Sequence, residues 1–441
     1  MRTDVDALVV SNHIVAFDEI FKGAIAIKDG KIFRVTHGRG RMPSADQVVD
    51  CGDAFVLPGL IDSHVHLRDP GFLAKEDFES GTKAAANGGF TTIMDMPNTV
   101  PFVDSPEAFV TKLRSIEKKS LIDFCLQACA TSHNLSTLGS LKDLGPSSFE
   151  VFMGDVAENF AVSNLKDLSL ILDWGASAGT VIGISPLAKD LIDENAGKAR
   201  DPETHAKQRP NRSEAAAVAS VVTLTSGEGK TVLRQLSTRE SIRINEALSS
   251  RRLYCETTPH YLLLDMKMAG KLGPFGIVNP PLRSREDRIS MWQALLDGRI
   301  DIIASDHAPH TLDDKMNADG VAPGFPGLET SVPMLFTLVK RGRVDIRRLI
   351  QVMSENPAKV YGLFPRKGVI GTGADADLTV VDLKRRSRIR GEDFYSKAKW
   401  TPFEGKLCMA KPEFTIVRGE VIMDHGLIVG RPGYGRFQSA S

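Results

Sequence analysis

What the chain lacks narrows its class before any motif is considered. No segment of the 441 residues approaches the roughly 18 uninterrupted apolar residues of a membrane span. Neither sign of charge prevails, since 55 Lys and Arg face 55 Asp and Glu. Wholesale nucleic-acid binding needs a concentrated cationic face, which this balance does not offer. The Arg-rich stretch 384–390 accordingly reads as a solvated charged surface. Cysteine is scarce, and its five residues (Cys51, Cys125, Cys129, Cys255, Cys408) are scattered and odd in number. Reduced thiols in a cytoplasmic protein explain that pattern better than a disulfide framework. The first six residues hold two acids and open no apolar run with a cleavage site, so no secretory signal is expected. Internal repeats are absent. Gly371-x-Gly373 lacks a surrounding βαβ unit and reads as a turn rather than a nucleotide loop. Hydrophobic residues at 42% and charged residues at 25% are the balance of a soluble globular chain, long enough to bury a core without staples.

The two ends of the chain resemble each other and the middle differs. Residues 6–57 are short β-type runs (7–10, 23–28, 31–36, 47–50), and Lys28-Asp29-Gly30-Lys31 is a hairpin signal. The style returns over 369–425, with runs at 376–382, 414–418 and 420–423. Between them, eight apolar strand-like runs (60–66, 90–95, 122–130, 149–153, 180–184, 231–236, 253–256, 301–305) alternate with helix-like stretches (75–87, 105–118, 165–175, 213–227, 238–249, 285–297, 328–341). Such alternation predicts parallel strands with crossover helices, and eight strands in about 300 residues predict an α/β fold of the (β/α)8 TIM-like barrel type. The barrel is expected over 58–368. The ends, 1–57 and 369–441, are expected to pair into one small β-sandwich domain. The polar loop 190–211 falls inside the barrel region and is expected to lie over a site.

The sharpest local signal is His64-Val65-His66 at the end of the first barrel strand. Alternate strand residues share a face, so both imidazoles can reach one metal at the end of the barrel where active sites sit. Two histidines packed in a polar core would show the same pattern. A matching carboxylate, Asp306, closes the run 301–305, where it can bind a cation or act on bound water. Its alternative role is to cap the following turn. The adjoining His307-Ala308-Pro309-His310 favours the first role.

At these residues the chain resembles the dihydroorotases, of the cyclic-amide branch of the amidohydrolase superfamily. The likeness runs through Gly59-Leu60-Ile61-Asp62-Ser63-His64-Val65-His66-Leu67-Arg68-Asp69-Pro70-Gly71. It continues at Gly88-Gly89-Phe90-Thr91-Thr92, Met96-Pro97-Asn98-Thr99, Glu256-Thr257-Thr258-Pro259-His260-Tyr261-Leu262, Asn279-Pro280-Pro281-Leu282-Arg283 and Ser305-Asp306-His307-Ala308-Pro309-His310-Thr311. It closes with Asn356-Pro357-Ala358, Gly373-Ala374-Asp375-Ala376-Asp377 and Trp400-Thr401-Pro402-Phe403. The resemblance implies the barrel with its β-sandwich, and a metal-dependent reaction in which dihydroorotate and N-carbamoyl-L-aspartate interconvert in pyrimidine biosynthesis. By the same resemblance, His64 and His66 match paired ligands of the buried metal, and Asp306 matches the aspartate that binds it and shuttles the proton. Arg68, Asn98 and His310 match the side chains that hold the substrate carboxylate. An arginine suits that role because its planar fork meets a carboxylate in a bidentate way.

Three positions depart from the family. Its bridging lysine sits in a Ser-Phe-Lys-x-Phe-Met context, where this chain has Glu150. The histidines expected after the fifth and sixth strands are replaced by Ser185 and Gln235, whose hydroxyl and amide oxygens bind Zn²⁺ weakly. His205, in the long loop, reads as surface polarity, and His260 as a packing residue. The expectation is therefore one divalent ion per chain, zinc by preference, held by His64, His66, Glu150 and Asp306. The resemblance also implies a homodimer and leaves room for association with aspartate transcarbamoylase. The alternatives are a catalytically weak or inactive homologue serving as a binding or assembly subunit, and a sister enzyme such as allantoinase or dihydropyrimidinase. The substrates of the latter two lack the carboxylate that Arg68, Asn98 and His310 would hold.

Overall fold

Apolar runs bounded by turn residues become short strands that are buried on both faces, as strands sandwiched between helices must be. In the computed structural model, which describes residues 4–16, 19–38, 42–193, 196–225, 229–248 and 253–439, the first is Leu60–Val65. It pairs in parallel with Phe90–Asp95, which pairs with Asp123–Leu126. The chain passes Gln127 and resumes as Ala128–Cys129, which pairs with Phe149–Phe152. Val181–Ser185, Lys230–Leu233, Tyr254–Thr257 and Ile302–Ile303 follow in order, all parallel. Val65 then bridges His307 in parallel, so the last strand position meets the first. The third strand, expected as one run over 122–130, is broken at Gln127. The Gln127 side chain turns to donate to Ser63 O at 2.9 Å.

Helices alternate with these strands and begin where side chains cap them. Asp77 accepts from Ser80 N ahead of Phe78–Asn87, Asn164 from Asp167 N ahead of Leu165–Ala178, and Ser284 from Asp287 N ahead of Arg285–Leu296. The expected helices over 213–227 and 238–249 are Asn211–Leu224 and Arg239–Leu248; Ser226, Gly227 and Ser249 lie outside the described residues, as do residues 1–3. Among the described residues no helix is long and apolar enough to cross a membrane.

The chain ends share one nine-stranded sheet. Val5–Ala16 lies between Glu19–Lys28 on one side and Ala45–Asp50 and Phe55–Pro58 on the other. Phe55–Pro58 pairs antiparallel with Leu378–Asp382, which continues to Lys411–Val417, Glu420–Asp424 and Leu427–Ile428. The hairpin signal is realised: Lys28 faces Lys31 across Asp29 and Gly30, both at positive φ. Val9, Ile14, Ile25, Val56, Leu378, Val380 and Ile416 form the core of this sheet.

A buried ammonium joins the two layers. Lys367 Nζ lies 2.7 Å from Asp123 at the start of the third parallel strand. It lies 2.5 Å from Asp377 and 3.3 Å from Asp375, just ahead of Leu378–Asp382. The guanidinium of Arg418 also pairs with Asp123. Removing one partner from such a set leaves buried charge uncompensated. Lys367→Met should therefore cost about 3–5 kcal/mol of unfolding free energy in a denaturant titration. Lys207→Met, which breaks the solvated Glu203–Lys207 pair, should leave the midpoint where it is.

Candidate active site

His64 and His66, on alternate residues at the end of the first parallel strand, turn their rings to the same side and both meet Asp306. His66 Nε2 is 3.2 Å and His64 Nε2 3.4 Å from the same oxygen, Asp306 Oδ1. One ligand atom from each of the three lies within 4.8 Å of the others, and all three residues are buried. Their second nitrogens are engaged. His64 Nδ1 is 2.9 Å from Glu256 Oε1, and His66 Nδ1 is 2.8 Å from Asn98 Oδ1. Both partners are acceptors, so the ring protons sit on Nδ1 and the Nε2 lone pairs face the group. This is how metal-binding imidazoles are oriented. Two imidazoles and a carboxylate that leave a position open fit a divalent ion of the catalytic zinc type. Burial, with Arg68 adding to it, holds His66 below its ordinary pKa.

Glu150, the expected fourth ligand, is placed elsewhere. Its carboxylate is clamped by Arg234, with Nη2 2.6 Å from Oε1 and Nε 3.0 Å from Oε2, and Ser148 Oγ donates to Oε1 at 2.7 Å. It rests against Gly183 of the neighbouring strand, where any Cβ would fall 2.2 Å from Oε2. Arg234 and Ser148 thus engage this carboxylate, and the residues whose ligand atoms meet are His64, His66 and Asp306 without it. Arg234 also reaches Glu256 Oε2 at 2.6 Å and Ser63 O at 3.2 Å. It is fully buried, and although burial disfavours its charge, Glu150 and Glu256 hold its pKa well above the usual value. The side chains brought together are thus two imidazoles and one carboxylate, with Glu150 placed in a separate ion-paired triad. Sequence reading misses Arg234 and Glu256. The available signal is a charged residue inside each of two otherwise apolar strands, which requires a buried counter-charge.

A cavity of about 250 Å³ opens on the group, and His64, His66, Asp306, Arg68, Asn98, His310, Ser185 and Gln235 all line it. Asn98 spends its carbonyl on His66, which leaves its amide N–H groups for a ligand. Arg68, at φ +62, is half-buried, and among the described residues its buried Nε has no hydrogen-bond partner. Its Nη2 is 3.3 Å from His310 Nε2. Lys75 Nζ is 3.3 Å and Asp314 Oδ2 3.8 Å from His310 Nδ1. Pro323 O lies 3.0 Å from His310 Nε2 on the same wall. Burial first, then Arg68 and Lys75, push the His310 pKa down to about 3, so the ring is neutral.

Three further buried histidines, His205, His260 and His307, lie outside the ligand group. His205, read as surface polarity, is buried within the 190–211 segment, which is not a plain loop. That segment carries the helix Pro202–Gln208, capped by Asp201, and Arg209 pairs with Asp155 on the cavity wall. His260 packs against Tyr261 and Phe325. His307 Nδ1 accepts from Gly327 N at 3.1 Å, beneath the site.

Residues 55–159 and 203–422 match the amidohydrolase family, and the chain belongs to it. The dihydroorotase of Methanothermobacter thermautotrophicus is 40% identical over 418 residues, 94% of this chain and 93% of that protein. The L-hydantoinase of Paenarthrobacter aurescens is 31% identical over 447 residues, 98% of this chain and 97% of that one. A solved structure of L-hydantoinase (dihydropyrimidinase) from Arthrobacter aurescens superposes with a TM-score of 0.93 at 30% identity, covering 99% of this chain and 100% of the other.

The ion-paired triad is open to a direct test. Arg234→Met leaves Glu150 and Glu256 without their cation and should lower unfolding free energy by about 3–5 kcal/mol. Glu150→Gln should cost less stability and leave Zn²⁺ affinity, read by calorimetry, unchanged. A steep fall in Zn²⁺ affinity in Glu150→Gln would return Glu150 to the ligand set.

Proposed function

We propose that the chain is a dihydroorotase-type cyclic amidase, which interconverts dihydroorotate and N-carbamoyl-L-aspartate in cytoplasmic pyrimidine biosynthesis with one divalent ion, zinc by preference. The returning bridge from Val65 to His307 supports a closed (β/α)8 barrel over 58–368, with the end-built sheet as its β-sandwich. The observation that carries the functional reading is the pairing, in one cavity, of the His64–His66–Asp306 group with an anion clamp. Among the described residues Arg68 Nε lacks a partner, Arg68 Nη2 and His310 Nε2 lie 3.3 Å apart on the same wall, and the Asn98 carbonyl is taken by His66, which leaves its amide N–H groups toward the cavity. A ring carboxylate meets all of these at once. Hydantoin and dihydrouracil rings carry none there. The higher identity to a dihydroorotase than to an L-hydantoinase supports the same choice.

A divalent ion held by His64, His66 and Asp306 supplies Lewis acidity that makes hydroxide available near neutral pH. Because Arg234 neutralises Glu150, only one carboxylate offsets the ion's charge. Asp306 accepts the proton of the attacking water as its oxygen adds to the ring carbonyl carbon. The proton then passes to the ring nitrogen as the C–N bond breaks and the new carboxylate forms. Arg68, Asn98 and His310 anchor the other end of the ring, which fixes the scissile amide over the group. Ser185 and Gln235 leave the carbonyl oxygen to neutral donors, and loss of one oxyanion stabiliser typically costs about 10²–10³ in rate, so turnover should be slow.

Elemental analysis after dialysis against Zn²⁺ should find about one ion per chain, and His64→Ala should find none. Wild type should cyclise N-carbamoyl-L-aspartate slowly and bind orotate. Arg68→Lys keeps the charge but loses the fork, and should weaken orotate binding by about tenfold. Orotate affinity unchanged in Arg68→Lys would remove the case for a carboxylate-bearing ring. Zinc and orotate bound with no turnover would make the chain a binding subunit of the same ancestry.

A further inference from the structure

The cavity wall holds one more side chain whose orientation is set from a distance. Asn279 lines the cavity and is half-buried, and His205 lies behind it. Two independent ends fix the tautomer of His205. Arg209 Nη1 is 3.1 Å from His205 Nδ1, and a guanidinium only donates, so Nδ1 accepts. On the other side of the ring, Nε2 is 3.1 Å from Val278 O, and a carbonyl only accepts, so Nε2 carries the proton. That same N–H is 2.7 Å from the Asn279 side chain, whose atom there must be its carbonyl oxygen. An amide turned the other way would set donor against donor. Asn279 Nδ2 is therefore the atom left for the cavity, and among the described residues nothing accepts from it.

Arg209 is not free to turn. Asp155 takes its Nε and Nη2 at 2.5 and 2.7 Å, and Ala196 O accepts from Nη1 at 3.0 Å. Asp155 itself lines the cavity just beyond the fourth strand, in the left-handed region at φ +59. Burial, then the Arg209 cation, push the His205 pKa down to about 3, so the ring stays neutral over the working range of pH.

We propose that Asp155, Arg209 and His205 form a positioning relay that presents Asn279 Nδ2–H as a fixed donor to a carbonyl of the substrate ring. This rests on the cyclic-amide reading above. Where Ser185 and Gln235 stand in place of imidazoles that could hold a second cation, a preset neutral donor is one means to hold and polarise a ring carbonyl. A donor locked in this way also selects among rings, because an analogue that offers N–H at that position leaves two donors facing each other. Through this relay the 190–211 segment braces the cavity wall from behind.

The test combines spectroscopy with binding. In ligand-free wild type, ¹⁵N NMR should show His205 protonated at Nε2 and bare at Nδ1, with the form unchanged from pH 5 to 8. Orotate should shift the Asn279 side-chain amide resonances. His205→Leu removes the donor and should weaken orotate binding by about tenfold, while His205→Gln, whose amide nitrogen can replace Nε2–H, should recover most of it. A proton on Nδ1 overturns the relay, and so does orotate binding in folded His205→Leu as tight as in wild type. If wild type binds no orotate, the substrate reading fails instead, and the tautomer spectrum alone then decides the relay.

Discussion

One guanidinium holds the floor of this site together. Arg234 is fully buried, and within one fork's reach it meets Glu150, Glu256 and the carbonyl of Ser63. It thereby ties the fourth, sixth, seventh and first parallel strands at a single point. A cation taken so far from water persists only because two carboxylates face it, and they in turn persist only because of it. The chemistry above inherits its geometry. Glu256, anchored by Arg234 and by Ser63 Oγ at 3.0 Å, is the acceptor that sets the proton of His64 on Nδ1. Glu150, anchored by the same fork, is held away from His64, His66 and Asp306.

The electrostatic consequence favours the cavity. With Glu150 matched internally, the ligand group brings one negative charge instead of two. An ion bound there keeps net positive charge toward the cavity, where Arg68 adds another. A net positive cavity of this kind would favour an anionic ligand over a neutral one.

Strand alternation and short motifs carry the legible part of the site. His64-Val65-His66 places two rings on one face, Asp306 closes a strand, and Arg68, Asn98 and His310 follow from the motif likeness; all line the same cavity. The strand-helix alternation likewise anticipates each parallel strand, apart from the break at Gln127. Glu150 escapes such reading because its counter-ion lies 84 residues away, and spacing along the chain does not show which buried charges meet. His205 reads as surface polarity for a related reason. Its loop is polar in composition, but the polar groups satisfy one another in the interior, and composition does not reveal where hydrogen bonds close.

The end-built sheet imposes an order on synthesis. Leu60 N donates to Thr379 Oγ1 across 319 residues, and Phe55–Pro58 has its second edge covered only by Leu378–Asp382. During translation the opening strands leave the ribosome long before that partner exists. An apolar strand edge therefore stays bare through most of the chain's production, which is when strands pair wrongly with neighbouring nascent chains. Completion of the layer waits for the strands over 378–428, so a chain terminated before them carries an open edge that marks it for chaperones or for aggregation.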